Sequence, residues 1–154
     1  MAVVGVACKD GAILAVEKPE ETKMMLPGSN RRIFTVAKHV GMAVPGKLPD
    51  GRQMVSRAQQ EAENYKRFYG TTIPTKVLSD RLANYCHAFS LYWHLRPLGS
   101  AALTASYDDQ GTSLCMCVSE RERERARFNP FALFFPLSNE FLIPFRLPFT
   151  FTFA

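Results

Sequence analysis

Paired metal ligands are missing from this chain. Its four cysteines and three histidines form none of the C-x2–4-C or H-x3–5-H pairs that hold zinc. Cys86 and His87 are adjacent, so on a helix they point about 100° apart and do not chelate together. Cys8, Cys86, Cys115 and Cys117 follow no disulfide framework, which points to a reducing cytoplasmic or nuclear compartment and to thiols that pack as small apolar residues. No charged-then-apolar leader precedes Val3, and no apolar run reaches membrane-spanning length without proline or charge. The turn at 27–30 with Arg31 and Arg32 lacks the Gly-x4-Gly-Lys-Ser/Thr spacing of a phosphate loop. The net charge is +5, but the basic residues are scattered apart from Arg31-Arg32 and an arginine-rich run near the C-terminus. No nucleic-acid footprint follows from that distribution. The chain is therefore expected to use no cofactor, metal, nucleic acid or membrane.

What the chain does have is periodicity. Over 74–99, Leu78, Leu82, Tyr85, Phe89 and Tyr92 recur in steps of four and three, one apolar stripe along a helix. Pro74 suits its first position, and Pro97 with Gly99 is expected to end it. A second helix is predicted over 50–69, with Asp50 as N-cap and Gln53 completing a capping-box pattern. Val55, Ala58, Ala62, Tyr65 and Tyr69 share its apolar face, and Gly70 stops it.

Short apolar runs fill the rest. Segments 2–7 and 12–16 flank Lys9-Asp10-Gly11, a hairpin turn, and 32–36 and 39–44 form a second pair. Gly41 and Gly46 mark places of close approach. After the helices, 101–107 and 113–118 surround a turn at Asp108 to Gly111, where the paired carboxylates read as turn residues. Four strands, two helices and two strands give an α+β fold with helices on one face of a largely antiparallel sheet.

The succession VVGVACKDGAILAVEK, KMMLPGSNRRIF, HVGMAVPG, DGRQMVSRAQQEAENYKRFYG, IPTKVLSDRLANY, LYWHLRPLG and ASYDDQGTSLCM resembles α-type subunits of the proteasome core particle, in the family's order over about 2–118. The resemblance implies the first half of an αββα sandwich of the N-terminal-nucleophile hydrolase type. It implies a non-catalytic structural role in the α ring, in ubiquitin-dependent protein degradation. Other α subunits, the β ring and a regulatory activator particle would be its partners. Catalysis in that fold needs an N-terminal Thr, Ser or Cys, whereas this chain offers Met1 or Ala2, so no catalytic residue is expected and a free-standing hydrolase is the remote alternative. Arg32 matches a basic residue that lies near the pocket where activators insert their C-terminal carboxylates, and it is the candidate partner-binding residue. Its alternative is a solvated arginine at a strand edge.

The chain also departs from that pattern. Resembling subunits begin with a further helix and a gate-forming tail, whereas Met1 here leads directly into the first strand. Pro45 and Pro49 stand where small non-proline residues are usual. The family's second half is replaced by 119–154, an alternating Arg/Glu run followed by nine of the twelve Phe residues interleaved with proline. The domain is therefore expected to span 1–118, with a non-homologous, disordered tail over 119–154. With the second sheet expected to be missing, Ile33, Val40, Met42 and Leu103 should be partly exposed. An assembly-incompetent truncated fragment is the second reading. Partner contacts are expected at the 50–69 helix, through Arg52, Arg57, Gln60, Glu61 and Lys66, and at the 27–32 turn.

Overall fold

The computed structural model describes residues 1–19, 23–26, 28–108, 111–117 and 133–136. In chain order these form β1 (Ala2–Cys8), β2 (Gly11–Val16), β3 (Ile33–Ala37), β4 (Val40–Ala43), α1 (Leu48–Tyr69), α2 (Thr75–Leu91), β5 (Ala102–Asp108), β6 (Gly111–Cys117) and β7 (Leu133–Pro136). The fold is α+β, as the periodicity requires. Its strands make two antiparallel sheets, ordered β2-β1-β7 and β3-β4-β5-β6.

Strand parity explains how the layers stack. Val40 pairs with Ser106 and Met42 with Thr104, so these four share one face of the larger sheet. That face packs on the helices: Val40, Met42 and Val44 cluster with Met54, Leu78, Leu82 and Cys86. Ala43 pairs with Leu103, and both turn the other way onto Val3 of β1, with Leu14, Val16 and Met116 around them. A smaller cluster of Ala7, Ala105 and Leu114 continues that inner layer. At Gly5 the sheets approach so closely that a Cβ would lie 2.9 Å from Leu103 Cδ2.

The expectation of an uncovered inner face therefore fails for three of its four residues. Val40 and Met42 face the helices and are buried, and Leu103 is buried beneath β1. Only Ile33 is open, at 42% exposure. The β1-β2 hairpin is not part of the helix-covered sheet; its small inward residues let it close over β5 and β6 as the second layer. β7 extends that layer, so the expected disorder of 119–154 does not hold at 133–136. A four-residue strand ending at Pro136 escapes the proline restriction, because the proline stands at the strand end. The rest of 118–154 lies outside the described residues.

Both helices differ from expectation at their starts. α1 begins at Leu48, with Lys47 in the N-cap position and no side-chain cap. Pro49 in the first turn fixes that earlier start, because proline is preorganised for a position whose N–H has no helical partner. Asp50 is thus inside the helix rather than capping it, and Gln53 donates from Nε2 to Tyr85 Oη of α2 at 2.9 Å. Gly70 closes the helix in the left-handed region, as expected. Pro74 caps α2 from outside, and the helix ends at Leu91, six residues before Pro97. Tyr92 consequently leaves the apolar stripe and is exposed, as is Tyr69 on α1.

A buried junction at the start of α1 as candidate functional site

Three segments meet where α1 begins: the stretch before β3, the β4–α1 turn and the chain entering β5. Backbone bonds stitch them together. Val44 N donates to Arg32 O at 2.9 Å, Lys47 N to Gly99 O at 2.9 Å and Ala101 N to Pro45 O at 3.3 Å. Gly46 forms an isolated antiparallel bridge with Ser100. Its φ is +98°, and a Cβ there would stand 2.6 Å from Gly99 O, so the close approach expected at Gly46 is real. At Gly41 the nearest side chain leaves ordinary contact distance.

Arg32 sits at the centre of this junction. It is only 6% exposed, which excludes the solvated strand-edge alternative. Nε donates to Asn30 Oδ1 at 3.0 Å, and Nη1 donates to Gly46 O at 2.6 Å and to Val44 O at 3.5 Å. Burial lowers its pKa, because desolvation penalises the charged form. Asn30 is itself buried, and its Nδ2 finds no hydrogen-bond acceptor among the described residues. Arg31 behaves differently: it is exposed, donates from Nε to Ile33 O at 2.9 Å and lies 5.8 Å above the Phe34 ring. Position relative to β3 separates the two arginines, a distinction their adjacency conceals.

Asp50 and Arg96 form the second half of the junction. Arg96 donates through both terminal nitrogens to the Asp50 carboxylate, at 2.7 Å each, and Gly99 N donates to Asp50 Oδ2 at 2.8 Å. The Arg96 hydrogen bond, then that from Gly99, hold the Asp50 pKa down to about 2. The carboxylate also lies in the first turn of α1, where the helix dipole favours negative charge. Neither residue stood out as a pair in the sequence. Pro49 was the available signal, since placing the helix start before it moves Asp50 off the cap.

The remaining candidates fall elsewhere. Cys86 and Cys117 are buried in the helix-facing core, and burial pushes their thiols up to about 11 and about 12. They stay neutral at physiological pH, unlike reactive thiolates. Cys86 points inward while His87 is exposed. On α1, Arg52 donates to Ser29 O at 3.0 Å, tying the 28–32 turn to the helix. Glu61 is not on the outer face: its side chain is 13% exposed and bridges Arg57 on its own helix and Arg81 of α2. Pro27 and Asp109 lie outside the described residues. No helix of the described residues is long and apolar enough to cross a membrane.

A helix layer thus packs on two antiparallel sheets, and buried bonds join three motif-bearing segments. The family described as "Proteasome subunit" matches residues 1–120. The chain belongs to that family. It is 54% identical over 113 residues to proteasome subunit alpha type-3 of Spinacia oleracea, covering 73% of this chain and 45% of the relative. Alpha type-3 of Arabidopsis thaliana is 53% identical over 114 residues, covering 74% and 46%, and that of Dictyostelium discoideum 46% identical over 112 residues, covering 73% and 45%. The chain thus spans less than half the length of these relatives.

Proposed function

We propose that this chain acts as a non-catalytic structural subunit of the proteasome α ring, in ubiquitin-dependent protein degradation. On this reading other α subunits, the β ring and a regulatory activator particle are its partners, and the cytoplasm and nucleus are its compartments. The observation that carries the reading is the family match over 1–120, with relatives named proteasome subunit alpha type-3. The junction at α1 supports it, because the segments carrying PGSNRRIF, HVGMAVPG and LRPLG bond to one another. Expression of the tagged chain followed by affinity purification tests it. Recovery of the other α subunits in stoichiometric amount is expected; recovery of the chain alone overturns the reading.

That second outcome would favour an assembly-incompetent fragment. The bare inner side of β3, where Ile33 is 42% exposed, is the observation on its side. Arg32 enters the first reading as a partner-binding residue through the resemblance alone. Its Nε and Nη1 already serve internal acceptors, so contact with an activator's carboxylate falls to Nη2. Arg32→Lys should lower activator capture while ring incorporation persists. Equal loss of both would assign Arg32 to the fold and not to the activator.

A further inference from the structure

Two strands form outer edges on the same side of the sandwich, β2 in one sheet and β3 in the other, and the two edges are finished differently. Along β3, Val44 N bonds to Arg32 O, so the alternation of an antiparallel pair turns the carbonyls of Ile33 and Thr35 outward. Both are already taken: Arg31 Nε donates to Ile33 O and Gln59 Nε2 to Thr35 O, each at 2.9 Å. Along β2, Glu17 N bonds to Ala2 O, so the backbone groups of Ala12, Leu14 and Val16 point away from β1. Those groups have no strand partner among the described residues. β2 also lacks the usual guards of an exposed edge. Its sequence GAILAV has no charge or proline, and its pairing with β1 runs without a bulge.

β2 lies mainly over β4 and β5, so β3 projects beyond it and floors an open groove of about 620 Å³. Ala12 and Leu14 wall the groove, Ile33 and Thr35 line its floor, and Lys38 and Tyr107 stand at one end. Lys38 is the only Lys, Arg, Asp or Glu of that lining; it is exposed and has no ion-pair partner among the described residues. We propose that β2 and this groove dock an extended segment of another polypeptide, added antiparallel to β2, with apolar residues at alternate positions and an acidic residue at its C-terminal end. The free backbone groups of β2 supply the pairing, and Ile33 and Thr35 meet every second side chain. Charge sets the direction. Val16 packs near Ala43, which pairs with Ile33, whereas Ala12 packs near Ala105, which pairs with Gly41 beside the β3–β4 turn. An antiparallel segment therefore passes Ile33 first and ends beside Lys38, where a carboxylate meets the unpaired ammonium. A second copy does not fit by pairing β2 with β2 about a two-fold axis. β3 projects beyond β2 in each copy, and the two projecting strands would collide. A single strand with no layer beneath it avoids that collision, and its docking does not depend on ring entry.

Titration of the full chain with the peptide acetyl-Thr-Val-Thr-Val-Thr-Asp-amide, read by amide hydrogen exchange, tests this. The amides of Ala12, Leu14 and Val16 should exchange at least ~10-fold more slowly with the peptide bound, because a strand partner protects them. Those of Ile13 and Ala15, which point to β1, should stay unchanged. The same peptide ending in Lys should bind at least ~2-fold more weakly, and Lys38→Glu, at an exposed position, should reverse that order. Absence of binding overturns the proposal, as does equal protection of all these amides. A preference for the Asp peptide that survives Lys38→Glu also overturns it. So does protection of Ala12, Leu14 and Val16 before any peptide is added: the edge is then filled within the chain, or by a second copy if that protection grows with protein concentration.

Discussion

The seam between the two sheets and the junction at the start of α1 are both buried, but different forces close them. The seam is apolar and built from small residues, with Gly5, Ala7, Ala43 and Ala105 letting the sheets approach around Val3, Leu103 and Leu114. The junction is closed by two charged side chains, Arg32, satisfied largely by backbone carbonyls, and Asp50, held by the Arg96 guanidinium and the Gly99 N–H, all brought from distant segments. Apolar burial is non-directional, so the seam needs parity and volume. A buried charge needs partners at set positions, so the junction needs the surrounding backbone to be correct. The seam should therefore respond to volume and ignore pH, and the junction should do the reverse.

The largest effect is expected from volume at the seam. Leu103→Ala removes a side chain packed between β1 and β5 and should cost about 3 kcal/mol, from lost burial and the cavity left behind. Ile33→Ala, on the same face of the same sheet but exposed, should cost under about 1 kcal/mol. Urea denaturation of both variants measures the difference, which should be unchanged between pH 5 and pH 8. Similar costs at the two positions would mean that the inner face is not covered as described.

At the junction, Arg32→Met keeps the apolar stem but strands the Gly46 and Val44 carbonyls and Asn30 Oδ1. A cost of about 2 kcal/mol is expected, since buried acceptors lose their donors. Arg31→Met, one residue away and exposed, should stay within about 0.5 kcal/mol. Equal costs for the two variants would remove the distinction between a buried clamp and an exposed neighbour.

These two regions were not equally legible in the sequence. Strand existence, helix faces and hairpin turns followed from periodicity, and the motif order brought the sandwich with it. Parity places Met42 and Leu103 on opposite faces only once the β4–β5 register is known, and register is a long-range property. The role of β1 and β2 as the second layer depended on the same information. At the junction, Asp50 resembled an N-cap because its type and its spacing to Gln53 fit one. Its partners Arg96 and Gly99 lie 46 and 49 residues away, beyond any local pattern. Arg32 was singled out through resemblance, but its burial depends on how the 44–46 turn folds back.

The smallest of these effects, and the one that separates the regions by pH, belongs to Asp50. Its pKa in the folded chain is about 2, against an ordinary 3.8. A depressed carboxylate pKa adds stability that is fully present above the unfolded value and disappears as pH falls through the folded one. The window therefore runs from about pH 4 down to about pH 2. The shift alone sets a ceiling of about 2 kcal/mol. Asp50 is itself buried, but Arg96 is 65% exposed on its side chain, so solvent screens the pair and about 1 kcal/mol is the expected contribution. Asp50→Asn should therefore be less stable than the parent chain at pH 7 and no less stable at pH 2, with the difference closing between those values. Leu103→Ala should show a constant deficit over the same range. Urea midpoints across pH compare them directly, and a pH-independent deficit for Asp50→Asn would show that its carboxylate acts in the junction through shape and not through charge.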